Sequence, residues 1–245
     1  PGAVPGGGEA AMTDDRELAG LDPFALLDGE AERLDAFFSG LGESGWTRAS
    51  RCAGWTVRDM LGHLTHGEDY HRACLDGTVA AFLARLAGRG GTDLDSVNAL
   101  GVAGYAALSP GEVLARWRAA SADNRRRFRE RADGMVDTSV GDYPCRWQAF
   151  HVAAELATHA DDIGAGAAGG EQGKRATWRA RYSRFALAEA KPHLTIQAAG
   201  ARTLVTDGSD TVEVDDRELV EAVMGRLDET SRLSAKLREL LSIMP

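Results

Sequence analysis

Phe24, Leu27, Ala31, Leu34, Phe38 and Leu41 recur at alternating spacings of three and four. That rhythm puts all of them in one stripe along a helix of about 20 residues, and no strand can use it. Asp22 is a good N-cap before the stripe, Pro23 suits the first helical position, and Gly40 and Gly42 end it. A helix with a single apolar stripe must bury it against neighbours, so a layered helical domain is the natural solution.

The chain supplies those neighbours. Thr56 with Asp59 forms a capping-box variant ahead of Val57, Met60, Leu61 and Leu64, predicting a second helix to about Leu75. A short helix over Val79–Leu86 follows, broken by Gly88, Gly90 and Gly91. Thr92 to Leu108 has weak period and reads as loop with some helix. Ser109, Pro110 and Glu112 open a third long helix carrying Val113, Leu114, Trp117, Ala120, Ala122 and Phe128. Its end holds Arg125, Arg126, Arg127, Arg129 and Arg131, a charge that suits a solvated helix terminus. An anion-binding surface is the alternative reading. A fourth helix spans about Arg146–Ile163, after Pro144. Four long helices joined by loops make a helical bundle.

The flanks differ. Residues 1–20 are rich in Gly, Pro and Ala and are expected to be a flexible extension, with Met12 a possible biological start. Residues 166–177 read as a linker. Gly164, Gly166 and Gly169 match a dinucleotide fingerprint on spacing but follow a helix, where the fingerprint must follow a strand. From 178 to 245 the chain alternates: short strands at Leu194–Gln197, Thr203–Thr206 and Thr211–Val214, a turn at Asp207-Gly208, and helices carrying Leu219–Met224 and Leu227–Leu241. The predicted fold class is therefore mainly α, with the bundle over 21–165 and a small C-terminal α/β domain over 178–245.

Composition narrows the function classes. Lys and Arg total 28 against 37 Asp and Glu, a net charge of −9. This argues against a nucleic-acid module or a polybasic membrane-surface protein. Cys52, Cys74 and Cys145 form no CxxC and are too few for a disulfide framework. No apolar run reaches the roughly 20 residues of a membrane span. A cytoplasmic protein acting on small molecules, as monomer or homodimer, is expected.

The fourth helix carries the chemistry. Glu155 and His159 stand four apart, on one face and one turn from each other, so both can grip one ion. His151 and Asp162 lie one turn before and after. Such a run inside a bundle needs a metal or hydrogen bonds to satisfy it. A third ligand would come from a facing helix, where His63, His66 and His71 are the candidates; His63, beside Met60 and Leu64, is the one placed toward the core. Two histidines, a carboxylate and an open position make a catalytic zinc set, although several divalent ions accept these ligands.

The stretch Cys52-Ala-Gly54-Trp55-Thr56-Val57-Arg58-Asp59-Met-Leu-Gly-His63-Leu64 resembles the second-helix motif of the mycothiol-dependent maleylpyruvate isomerase family, within the DinB-like metal-binding bundles. Glu155-Leu-Ala-Thr-His159-Ala-Asp-Asp162-Ile163 resembles its last-helix motif. The resemblance covers roughly residues 20–165. It implies a DinB-like four-helix bundle, a divalent metal, usually zinc, on His63, Glu155 and His159, and mycothiol as cosubstrate. The thiol, held as thiolate, would attack an electrophilic small molecule, in an S-transferase or a maleylpyruvate-type cis/trans isomerase. His151 and Asp162 are left as candidate catalytic groups with no ligand role implied; His151 would orient a ligand or the cosubstrate, or bond within the core. Trp55 and Trp147 are expected to pack at the bundle ends. Arg181 and Arg184 are possible contacts for an acidic substrate, and a cleft between the two domains is a natural place for one. A non-enzymatic metal- or ligand-binding protein and a metal-water hydrolase with His151 as base are the competing readings.

Overall fold

The computed structural model describes residues 14–167, 169–208, 210–227 and 230–244. Met12 and the first 13 residues lie outside that range. The chain divides into two compact units: Asp22–Glu171, and the described residues before Asp22 together with those from Gln172 onward.

The first unit is a bundle of four long helices: α1 (Pro23–Ser39), α2 (Val57–Asp76), α5 (Pro110–Glu130) and α6 (Cys145–Asp162). Two shorter helices, α3 (Val79–Ala87) and α4 (Leu94–Tyr105), lie between α2 and α5 in the chain. Helix α1 packs on α6, and α2 packs on α5 and α4. The apolar stripe of α1 becomes core: Phe24, Leu27, Ala31, Leu34 and Phe38 are buried, while Leu41 is only half-buried past the helix end. Phe38 sits between the rings of Trp46, stacked at 5.8 Å, and Trp117, edge-on at 6.0 Å.

The start signals act as their chemistry predicts. Asp22 accepts from the Phe24 amide at 3.0 Å. Thr56 Oγ1 accepts from the Asp59 amide at 3.2 Å, and Asp59 Oδ2 accepts from the Thr56 amide at 2.9 Å. This box fixes the first turn of α2, two turns before His63. Thr56→Ala is expected to remove about 1 kcal/mol of stability, read as a lower urea midpoint; an unchanged midpoint would mean the box is dispensable.

The arginines of α5 tie helices together. Arg125 and Arg129 each reach Asp28 of α1 at 2.6 Å, Arg127 reaches Asp76 of α2 at 2.5 Å, and Arg131 donates to the Leu75 carbonyl at 2.9 Å. These arginines thus clamp α5 to α1 and α2.

Two elements go beyond the sequence reading. Helix α4 occupies the stretch read as loop with some helix; it is capped by Asp93, which accepts from the Ser96 amide at 2.8 Å. It approaches α2 closely because Gly101 lies where a Cβ would run into the His66 ring. A hairpin of β1 (Met135–Thr138) and β2 (Gly141–Pro144) turns through Ser139-Val140, with Gly141 at φ +100°, and leads directly into α6.

In the second unit, α7 (Glu171–Ala190) begins inside the segment expected to be a linker. Strands β3 (Thr195–Ala199), β4 (Arg202–Thr206) and β5 (Thr211–Asp215) form an antiparallel sheet in that order. Helices α8 (Asp216–Val223) and α9 (Ala235–Leu241) follow, α9 shorter than the leucine pattern predicts. Leu187, Val205, Val214, Leu219 and Leu241 form the core. Arg16–Leu18 make a 3-10 turn with Leu18 buried, so this part of the expected flexible extension is structured. Arg184 is buried and engaged with Glu17 at 2.8 Å and Asp216 at 3.5 Å, and Arg181 donates to the Ala19 carbonyl at 2.7 Å. Neither guanidinium is held out for a substrate. No helix among the described residues is long and apolar enough to cross a membrane.

Candidate metal centre

Helices α2 and α6 bring three predicted ligands to one point. His63 Nε2 and His159 Nε2 are 3.1 Å apart, and Glu155 Oε1 is 3.6 Å from His63 Nε2. Each residue offers a ligand atom within 4.8 Å of the others. Ligand atoms that each sit about 2 Å from a shared ion have separations of this size. Both imidazoles are buried, with 8% of their surface exposed, whereas the Glu155 side chain keeps 34%. The carboxylate is thus surrounded by protein yet open on one side.

The loop before α2 completes the surroundings. The Arg51 amide donates to the Asp162 carbonyl at 2.9 Å, and the Arg48 guanidinium bonds the Ile163 carbonyl, so the loop is seated on the C-terminal end of α6. This brings Trp55 against the His63 ring, centroids 5.1 Å apart, and Cys52 Sγ to 3.3 Å from Asp162 Oδ2. Trp55 is therefore a wall of the site rather than an end cap of the bundle. Trp147 packs edge-on to Tyr143 at 5.9 Å.

Asp162 is buried behind His159, its Oδ2 at 3.0 Å from His159 Nδ1. That contact keeps a proton on Nδ1 and leaves the Nε2 lone pair facing His63 and Glu155. Cys52, His159 and Asp162 form a second cluster with ligand atoms within 4.8 Å. It would need His159 Nδ1, the nitrogen already bonded to Asp162, so the His63, Glu155 and His159 group is the better cation site. The one sequence signal for Cys52 is its place in the Cys52–Trp55 turn before the capping box.

Electrostatics set the same state. Burial opposes charge on Glu155, but contact with His63 and the nearby His71 and His159 outweigh it and hold the carboxyl down at about 2. Burial lowers the His159 pKa, the Asp162 bond opposes the shift, and the adjacent His63 adds to it. An anionic carboxylate beside a neutral imidazole at neutral pH is what a divalent cation requires.

The other candidates separate by position. His66 stacks on Phe82 at 5.5 Å, and burial lowers its pKa. His71 is buried one layer behind Glu155, its Nε2 at 3.9 Å from Glu155 Oε2. Burial would lower its pKa, but Glu68 and Glu155 turn the shift upward. His151 lies outside both clusters, its Nε2 at 2.8 Å from the Tyr143 hydroxyl of β2.

Comparison with known proteins agrees with this architecture. The family described as the mycothiol maleylpyruvate isomerase N-terminal domain matches residues 27–164, more than half of the chain. A crystal structure of the mycothiol-dependent maleylpyruvate isomerase is similar in fold, with a TM-score of 0.52 at 18% identity over 73% of this chain and 72% of that one. A point mutant of that enzyme gives a TM-score of 0.51 at the same identity and coverage. No curated protein sequence matches the chain.

Proposed function

Because this chain belongs to the mycothiol maleylpyruvate isomerase N-terminal-domain family, we propose that it is a DinB-like, metal-dependent enzyme that uses mycothiol as a thiolate nucleophile. The observation that carries the reading is the convergence of His63 Nε2, Glu155 Oε1 and His159 Nε2 beneath an opening at Glu155. A divalent ion such as zinc on these three would lower the thiol pKa so that the sulfur is present as thiolate at neutral pH.

The chain's own groups prepare that event. Glu155 brings one negative charge to a site whose other two members are imidazoles. Asp162 fixes the His159 tautomer and ring direction, which makes it a positioning residue. The Trp55 ring packs at a tilt against the His63 ring, centroids 5.1 Å apart. His151, one turn before Glu155 and bonded to Tyr143, is assigned to orient the cosubstrate or the electrophile. Cys52, Cys74 and Cys145 form no disulfide among the described residues.

With a maleylpyruvate-type substrate, the thiolate sulfur would form a bond to one alkene carbon. The displaced π electrons would move onto the conjugated carbonyl oxygen. Rotation about the resulting single bond and return of the electrons would expel the thiolate and leave the trans isomer. Thiol is regenerated in this cycle. In an S-transferase the new C–S bond would persist and thiol would be consumed.

The test is turnover of maleylpyruvate with and without mycothiol, following substrate and free thiol together. Thiol-dependent turnover is expected; unchanged thiol marks the isomerase and falling thiol the transferase. Equal turnover without thiol would overturn the reading in favour of hydrolysis by activated water.

A further inference from the structure

Behind the site, a buried polar row runs from α6 through α2 to α5. Asn124, Glu68 and His71 expose only 1%, 3% and 5% of their surfaces. Asn124 Nδ2 donates to both the Glu68 backbone carbonyl and Glu68 Oε2, at 2.8 Å each. The same Oε2 is 3.7 Å from His71 Nδ1, and His71 Nε2 is 3.9 Å from Glu155 Oε2. The two oxygens of Glu155 are thereby divided: Oε1 faces His63, and Oε2 faces His71.

We propose that His71, backed by Glu68 and Asn124, is a positioning residue for Glu155 and sets the affinity of the site for its ion. The inference rests on the metal reading above. A carboxylate turns easily about its terminal bond, a broad two-fold torsion. His71 Nε2 faces one oxygen at 3.9 Å, longer than a hydrogen bond, and this electrostatic contact biases the carboxylate toward presenting its other oxygen to the cation. The ring itself is fixed: it lies edge-on to Phe128 at 6.1 Å and to Tyr70 at 5.9 Å. The two hydrogen bonds from Asn124 Nδ2 anchor Glu68, whose Oε2 faces the far side of the ring at 3.7 Å, an electrostatic contact rather than a hydrogen bond. Apolar side chains would fill this part of the bundle with less desolvation. A polar row that ends on a candidate ligand has its explanation at that ligand.

The experiment is competition with a chelator for Zn2+, on wild type, His71→Leu, His71→Gln and Glu68→Gln, with thermal melting of the ion-free samples. Loss of an outer partner weakens metal affinity by roughly 10–100-fold, which is expected for His71→Leu. His71→Gln keeps an N–H toward Glu155 and is expected to bind within about threefold of wild type, a smaller loss than that of an outer partner. Glu68→Gln keeps the shape and frees the ring; it is expected to weaken binding by about tenfold, and it serves as the test should His71→Leu fail to fold. Wild-type affinity in His71→Leu or in Glu68→Gln would overturn the inference. Equal losses in the Leu and Gln variants at His71 would also overturn it, since a space-filling role treats them alike. A wild type that takes up no ion would instead sink the metal reading, and this inference with it.

Discussion

Glu155→Gln is expected to remove thiol-dependent turnover by on the order of 10³-fold, beyond the loss typical of an outer partner. The change is nearly isosteric and leaves α6 its helix propensity, so the loss would report charge. Glu155 is the anionic member of a site whose other two members are imidazoles, and its surroundings hold its carboxyl down at about 2. Without that charge two histidines remain, which do not close a divalent site. Steady-state kinetics with ion content on the same sample checks this. Turnover within tenfold of wild type, at unchanged ion content, would show that Glu155 is not a ligand.

Trp117→Ala is expected to destabilise the bundle by about 3–5 kcal/mol. Trp117 is fully buried, and its ring abuts Phe38, which in turn stacks on Trp46. Removing it leaves a cavity among α1, α5 and the loop after α1. For a unit of this size the melting temperature should fall by roughly 6–20 °C. Its Nε1 has no hydrogen-bond partner among the described residues, so Trp117→Phe should lose much less than the alanine variant. A shift below about 1 kcal/mol for the alanine variant would mean this core relaxes around the gap.

Local signals were enough to read much of the bundle. Asp22, Thr56 with Asp59, and Ser109 with Glu112 cap the helices they were expected to cap, because a cap needs only neighbours within three residues. The face of α6 was legible from helical spacing, and His63 from its place beside Met60 and Leu64. Other features depend on what lies opposite. Helix α4 buries only Gly101, so it has no apolar stripe to detect. In α7, Arg175, Arg179 and Arg184 share the buried face with Trp178, Tyr182 and Phe185, which breaks the apolar rhythm. The hairpin strands are four residues long, and Met135 and Val140 remain exposed, so little alternation exists.

The site divides in the same way. His63, Glu155 and His159 meet because two helix faces meet, and each face is written in its own segment. The partners behind them are not. Glu68 sits in a run, Thr65 to His71, that looks solvated until Asn124, 56 residues later, is placed against it. Cys52 is a lone cysteine until the Arg51 amide bond to the Asp162 carbonyl seats its loop on α6. Asp162, one turn past His159, was visible as a candidate; its bond to Nδ1 is what gives it a positioning part.

The proposed chemistry requires that an ion on His63, Glu155 and His159 receive the sulfur of a small thiol. The most direct test loads the protein with Co2+ and records its near-ultraviolet spectrum as mycothiol is added. A saturable sulfur-to-cobalt charge-transfer band is expected in the wild-type protein and is expected to be absent from Glu155→Gln. A wild-type protein that binds cobalt and shows no such band with mycothiol would contradict that chemistry.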